Sequence, residues 1–432
     1  MKGPRPVNRR ERVLLVGVAL KKSSRGRTSD AASLGREGLI ELEELALSAG
    51  AAIAGTMLQV RDALDPATLV GRGKLDEIRA EAELHDAPLI IVDQNLSPVQ
   101  LRNIEKATER RVIDRTQLIL DIFAAHARTR EGHLQVELAQ LNYLLPRLTG
   151  RDDLSRLGGG IGTRGPGEQK LETDRRRIRD RVSKIRGAIE VVRKQRLTRR
   201  RSRQAVPLAT VALVGYTNAG KSTLFNALTS ATVLTSSSMF ATLDPTVRGL
   251  RLPSRRRVLL SDTVGFLRDL PPGLIAAFRA TLEEVQEAAL ILHVTDISDP
   301  RHAEHDAEVL KVLKDLGVED RPRLLVLNKS DRLSEADRAV FEESNGNGRE
   351  PLLVSAATGA GLPELLKQID ANMPVDPVVR SRFRIPVSDG RNLSLVHGFG
   401  RVLQSEISGN DMVLEAEVPQ SLLQRRLEQF VI

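Results

Sequence analysis

Gly215-Tyr216-Thr217-Asn218-Ala219-Gly220-Lys221-Ser222 follows directly on the apolar run Thr210 to Val214. Two glycines flanking four residues, then a lysine and a hydroxyl residue, make a loop that wraps nucleotide phosphates, provided a strand precedes it and a helix follows. Thr210 to Val214 reads as that strand and Ser222 to Leu228 as that helix. Gly215 and Gly220 let the backbone curl so that successive N–H groups point inward, and the helix N-terminus adds its positive dipole end. Lys221 is expected to reach the β and γ phosphates and Ser222 to offer its hydroxyl to magnesium, with Thr223 closing the phosphate-binding set. A chance match on a glycine-rich turn is the alternative, and the strand–loop–helix context speaks against it.

The base is decided further along, at Asn328-Lys329-Ser330-Asp331 after the apolar run Leu324 to Leu327. A carboxylate at Asp331 accepts from guanine N1–H and its 2-amino group; adenine lacks that donor pair and would leave a buried carboxylate unpaired. GTP is therefore the expected ligand. Asn328 should tie this loop to the phosphate loop, and the stem of Lys329 should cover one face of the base. Ser355-Ala356-Ala357, after Leu352 to Val354, is placed to supply backbone N–H groups to guanine O6.

Between these motifs lie two switch segments. Asp262-Thr263-Val264-Gly265 after the strand Arg257 to Ser261 puts Asp262 in the outer magnesium shell and the Gly265 N–H beside the γ-phosphate. Phe240-Ala241-Thr242-Leu243-Asp244 is the other switch, with Thr242 the preferred magnesium ligand and Thr246 the reserve. Many GTPases carry a glutamine just after the Asp-x-x-Gly motif to orient the attacking water, but Phe266 stands there, and a phenyl ring neither donates nor accepts. Slow intrinsic hydrolysis follows, with an external partner completing the site.

The chain has 432 residues, room for two to four domains, and no cysteine, which argues against disulfides, thiol-bound metals and cysteine catalysis. Arg9, Arg10 and Arg12 ahead of Val13 to Leu20 imitate a signal peptide, yet Lys21-Lys22 stand where small residues would be needed for cleavage. No apolar run approaches the roughly 18 residues of a membrane span. Cytosol and a monomeric state are expected, with peripheral membrane association held in reserve. The formal net charge is +9. Arg147 to Arg203 holds 19 basic and 7 acidic residues, so this segment contributes +12 and the remainder sums to −3.

An α/β multidomain architecture follows. Residues 1–130 alternate strands (Arg12 to Ala19, Ala52 to Val60, Leu89 to Val92, Arg111 to Ile113) with helices (Gly38 to Ser48, Leu75 to His85, Pro98 to Glu109, Thr116 to His126), the pattern of a small α/β domain with a parallel sheet. Within it, Gly71-Arg72-Gly73-Lys74 opens a helix and suits either a phosphate or a plain capping turn. Residues 131–204 read as a basic helical hairpin. One arm, Glu131 to Arg147, has Leu134, Leu138, Leu141 and Leu145 on one face; the other, Gln169 to Arg199, has Ile178, Val182, Ile185, Ile189 and Val192 at helical spacing. Between them lies the loop Gly158 to Glu168. Arg151, Arg156, Gly160 and Arg164 around that loop, with Arg175, Arg176 and Arg177 on the second arm, suit RNA phosphates better than a merely solvated face or a flexible linker. Residues 205–372 form the GTPase domain, and residues 377–432 a small α+β domain after the stiff Pro374-Val375-Asp376-Pro377. Its expected elements are strands at Arg382 to Val387, Ser405 to Ser408 and Met412 to Ala416 and helices at Asn392 to Leu403 and Pro419 to Phe430. Aromatics are only 3% with no tryptophan, so base-stacking recognition of single strands is not expected.

Gly71-Arg72-Gly73-Lys74 with Glu77, the run Val112-Ile113-Asp114-Arg115-Thr116-Gln117 to Phe123, the loop Gly158 to Glu168, Phe240 to Asp244 and Asp262 to Phe266 together resemble the HflX family of translational GTPases, along nearly the whole chain. The resemblance implies a GTPase, with magnesium, that binds the large (50S) ribosomal subunit and its rRNA and splits stalled or idle ribosomes under stress, the hairpin tip reaching toward the peptidyl-transferase centre. It also implies that a phenylalanine replaces the usual glutamine, and it keeps Gly71, Gly73 and Lys74 open as a second nucleotide site. Two other readings stand beside it. One is an RNA-binding module whose GTPase domain only reports occupancy. The other is a GTP-dependent membrane-surface protein, disfavoured because the apolar stripe of the basic helix is needed by its hairpin partner.

Overall fold

The computed structural model describes residues 11–21, 31–148, 166–204, 208–229, 246–268, 284–344, 351–374 and 376–432. Among the described residues the strands form three sheets.

The first sheet is parallel, in the order β2-β1-β3-β4, from β1 (Arg12–Leu20), β2 (Ala52–Arg61), β3 (Leu89–Val92) and β4 (Arg111–Asp114). β1 is buried from Val13 to Gly17 and on to Ala19 because helices cover both faces, which is why it reads as an unbroken apolar run rather than an alternating one. α1 (Ala31–Ser48) and α4 (Arg115–His126) cover one face, α2 (Arg72–Leu84) and α3 (Pro98–Thr108) the other. Ser97 caps α3, accepting from Gln100 N at 3.2 Å in a capping box with Pro98 at the first turn. α1 begins seven residues before the expected Gly38 and carries Gly35 within it, where a Cβ would lie 2.7 Å from Leu58 and 2.8 Å from Ala19.

The hairpin arms are α5 (Arg130–Leu144), continued by a 3-10 turn over Leu145–Leu148, and α6 (Pro166–Gln204). Proline is tolerated in a first helical turn, so Pro166 and Gly167 belong to the helix and not to the loop expected there. The expected leucine stripe is only half-buried; Gly132, Val136 and Ala139 are the buried positions of α5. The reason is that α5 is packed between α4 and α6 and needs two apolar faces. Arg181 grips Glu137 across the arms, Nε to Oε1 at 2.7 Å and Nη2 to Oε2 at 2.9 Å.

The second sheet has the order β10-β9-β8-β5-β7-β6, with β5 (Thr210–Val214), β6 (Thr246–Arg251), β7 (Arg257–Asp262), β8 (Leu290–Asp296), β9 (Arg323–Asn328) and β10 (Leu352–Leu353). All pairings are parallel except β6 with β7. β6 escapes the sequence reading because its apolar content is low and half of it faces solvent. Helices α7 (Lys221–Thr229), α8 (His302–Asp315), α9 (Glu335–Ser344) and α10 (Leu362–Asn372) belong to this domain. A continuous apolar cluster joins it to the N-terminal domain, running from Leu39, Leu42 and Leu45 of α1 to Val264, Phe266, Val309 and Leu313.

The third sheet is antiparallel, β11 (Val378–Pro386), β13 (Asp411–Pro419) and β12 (Arg401–Ser408), backed by α11 (Gly390–Phe399). α11 stops four residues short of the expected Leu403: Gly400 takes an extended conformation and the next residues pair with β13. The helix expected over Pro419 to Phe430 is broken into short α, π and 3-10 turns.

Candidate active site

β5 delivers the phosphate loop and α7 takes it away, starting at Lys221. Gly220 is a position that only glycine fills: its φ is +88°, and a Cβ there would lie 2.3 Å from Asn328 Nδ2. Lys221 is buried, its Nζ donating to the carbonyls of Gly215 at 3.1 Å and Tyr216 at 2.7 Å. Burial pushes this ammonium down to about 8, against the pull of Asp262.

Ser222 Oγ donates to Asp262 Oδ2 at 2.7 Å, and Asp262 is fully buried at the end of β7. Hydroxyl and carboxylate oxygens are the hard donors that magnesium takes. Among the described residues no group of three or more His, Asp or Glu could cage a metal, so a cation here needs phosphate oxygens or water as well. Of the expected γ-phosphate segment, Asp262 and Gly265 face the loop, and a Cβ on Gly265 would lie 3.0 Å from Lys221 Nζ. Thr263 and Val264 do not. Thr263 turns inward to donate to Leu213 O at 2.5 Å, and Val264 joins the core, both beyond the end of β7 at Asp262. Phe266 is 4% exposed, and its backbone pairs with the phosphate loop: Thr217 N to Phe266 O at 2.8 Å and Phe266 N to Gly215 O at 3.1 Å. Thr246 lies within β6 opposite Asp262, a ladder position. Phe240, Ala241, Thr242, Leu243 and Asp244 lie outside the described residues.

At the base-binding end, Asn328 is buried; its Nδ2 donates to Ala219 O at 2.9 Å and its Oδ1 accepts from Ala356 N at 3.0 Å. Lys329 sits in the left-handed region at φ 64° with Nζ on Asp296 Oδ2 at 2.6 Å. A lysine there stores strain on the order of 1–3 kcal/mol, of the kind found at functional sites. Asp331 is exposed, not buried as the sequence argument assumed, because it stands at the open end of the site; its Oδ1 accepts from Ser355 Oγ at 2.5 Å. Ser355 N and Ala356 N are already bonded to Ala360 O and Asn328 Oδ1, so among the three N–H groups expected for O6 only that of Ala357 has no protein partner among the described residues. At Gly71 the chain forms an N-cap, with Gly73 and Lys74 in the first turn of α2 and Lys74 Nζ on Glu77 at 2.7 Å.

Other polar groups around the loop, Glu41, Asp93, Arg115 and Arg268 among them, come from outside the nucleotide-binding motifs. Tyr216 OH donates to Glu41 Oε1 at 2.5 Å and accepts from Arg268 N at 3.0 Å, while its ring stacks on His305 with centroids 3.9 Å apart. Arg115 lies 2.9 Å from both Glu41 and Asp93. Burial and the neighbouring Glu41 push the Tyr216 phenol well above its ordinary range, and burial raises Asp93 despite Arg115 and Arg268. Nothing local marks Glu41, one acid among several on an amphipathic helix.

Three family profiles match in sequence order: GTP-binding GTPase N-terminal over residues 36–124, GTP-binding GTPase Middle Region over 126–203, and 50S ribosome-binding GTPase over 210–329. The GTPase HflX of Caldanaerobacter subterraneus subsp. tengcongensis is 46% identical over 92% of this chain and 90% of its own. The chain belongs to the HflX GTPase family. The Escherichia coli HflX is likewise 46% identical, over 82% of this chain and 83% of that one. Among solved structures, a GTP-binding protein from Sulfolobus solfataricus in complex with GDP overlaps 84% of this chain and 98% of its own, at 22% identity and a TM-score of 0.43. As an HflX GTPase the protein binds and hydrolyses GTP, through the phosphate-loop domain described above. Among the described residues no helix is long and apolar enough to cross a membrane.

Proposed function

We propose that this protein is a GTP-gated factor of the large ribosomal subunit that separates stalled or idle ribosomes, its basic hairpin engaging rRNA. The observation that carries the reading is the hairpin: segment 147–203 has a net charge of +12 while the rest of the chain sums to −3, and Arg176 and Arg177 are exposed on α6. The match to a profile described as a 50S ribosome-binding GTPase supports the same partner. Arg151, Arg156, Gly160 and Arg164, assigned to the tip, lie outside the described residues.

For hydrolysis, the loop 215–223 wraps the phosphates, with Lys221 neutralising charge at the β and γ groups and the Gly265 N–H facing the γ-phosphate. Ser222 and Thr242 would hold magnesium, with Asp262 in its outer shell, and the ion when bound would neutralise charge on the phosphate oxygens. Asp331 reads the guanine N1–H and amino group, and Ala357 N–H is the remaining donor for O6. Phe266, packed in the core, cannot orient water, so hydrolysis is slow until the ribosome supplies that group. Residues Gly71, Gly73 and Lys74 enter no step of this scheme.

Sedimentation with purified large subunits, with GTP analogue, GDP or no nucleotide, combined with light scattering of intact ribosomes, tests the reading. The expected result is GTP-dependent co-sedimentation together with loss of scattering. Binding without loss of scattering would leave only a GTP-gated RNA-binding module, and binding to anionic vesicles instead of subunits would move the partner to the membrane surface.

A further inference from the structure

Two neighbouring residues at the end of β4 anchor two different parts of the molecule. Asp114 is fully buried and bonds to the last turn of the first hairpin arm. Its Oδ1 accepts from Tyr143 OH at 2.8 Å, and its Oδ2 from Arg147 Nη2 and Leu96 N, each at 3.1 Å. Arg147 also donates to Tyr143 O at 3.0 Å and Leu96 O at 2.7 Å and lies 3.5 Å over the Tyr143 ring, so the last turn of the first arm is held on every side. Arg115, one peptide bond on, is 3% exposed and enters the opposite cluster, 2.9 Å from Glu41 and 2.9 Å from Asp93. Those two acids meet the nucleotide domain. Glu41 takes the Tyr216 hydroxyl of the phosphate loop, and Arg268, two residues past Phe266, places its guanidinium 3.9 Å from Glu41 and 3.6 Å from Asp93.

We infer that Asp114-Arg115 is the joint through which the nucleotide domain and the first hairpin arm sense each other: Tyr216 and Arg268 act on Glu41 and Asp93, these on Arg115, and the adjoining Asp114 on Tyr143 and Arg147. The buried part of this network, Glu41, Asp93 and Arg115, suits the task because none of the three can leave singly without stranding an uncompensated charge in low dielectric, so they shift together. Gly265 and Phe266 lie against the phosphate loop, so a γ-phosphate that draws in the Gly265 N–H also displaces the chain that leads to Arg268. Coupling of this kind is reciprocal: what holds the arm also biases the nucleotide loop. The inference deepens the proposed function, which needs GTP to gate the hairpin, but its test uses no ribosome.

Hydrogen–deuterium exchange of the full chain is measured in saturating GTP analogue and in GDP, following peptides that cover residues 130–148. Wild type is expected to differ between the two nucleotides at least about threefold in exchange rate there. Tyr143→Phe removes only the hydroxyl on Asp114, far from the nucleotide, and should abolish that difference while both nucleotides still bind, the ratio of GTP to GDP affinity shifting by no more than the same factor of about three. Tyr216→Phe removes the hydroxyl that joins Glu41 to Arg268 N, and should abolish the difference from the other end. The double variant should do no more than either single one, since links in series are not additive, whereas two merely structural losses would add. No nucleotide-dependent difference in wild type, or a wild-type difference surviving in either variant, overturns the relay. If the relay holds and the subunits nevertheless fail to bind, the ribosomal reading falls and the joint stands.

Discussion

Asn328 and Ala219, 109 positions apart in sequence, are joined by one hydrogen bond of 2.9 Å from the Asn328 amide to the Ala219 carbonyl. The base-reading loop and the phosphate loop are thereby tied directly to each other, with Asp331 three residues past the joint. Asp331→Asn is expected to weaken GTP by about 2–4 kcal/mol and to favour xanthosine triphosphate, whose 2-oxo group accepts from the new amide. Titration of both nucleotides measures it; equal GTP affinity and no gain for the xanthine nucleotide would remove the base assignment.

Lys221 supplies a pH signature with a definite sign. Its folded value of about 8 lies below the ordinary 10.5, so between those pH values the unfolded chain holds a proton that the nucleotide-free fold does not. Stability of the nucleotide-free protein should therefore rise with pH across that window, by up to about 3 kcal/mol from this group. Phosphate favours the charged form, so GTP affinity should fall over the same range. Thermal unfolding at pH 7.5, 8.5 and 9.5, taken as the difference between wild type and Lys221→Met, isolates the group; a flat difference contradicts it.

Phe266 is core as well as switch. Phe266→Gln places an amide in an apolar cluster and is expected to cost about 3 kcal/mol of stability without restoring fast hydrolysis. The wild type should turn over well below about one per second alone and at least about tenfold faster with large subunits. Steady-state phosphate release and a melting curve check both halves; a fast, stable variant would mean that the side chain is free to orient water.

Neutralising Arg175, Arg176 and Arg177 should weaken subunit binding and flatten its salt dependence, the slope of log K against log salt falling by about 2, because each lost phosphate contact releases fewer counterions. Replacing residues 158–165 with a serine linker, which spares the first turn of α6, should keep GTP binding and abolish splitting. Normal light-scattering loss in the replaced protein would make the hairpin a structural element only.

Contiguous stretches determined what could be read in advance. Gly215 to Ser222 states a backbone path and its chemistry together, because a phosphate cradle is made of successive N–H groups of one segment. The same holds for the strands that carry the chain into Asp262 and Asn328, whose apolar runs mark burial on both faces. Periodicity also announced the two hairpin arms. It did not say that α5 packs on α4 as well as α6, so the buried positions proved to be Gly132, Val136 and Ala139 rather than the leucines. It predicted neither the inward turn of Thr263 nor the exposure of Asp331. The tertiary structure alone brought Glu41, Asp93 and Arg115 to Tyr216 and Arg268. An apolar pattern tells which face of a segment is buried but not which partner buries it, and a lone acid on a helix has no sequence mark until the fold sets a cation beside it.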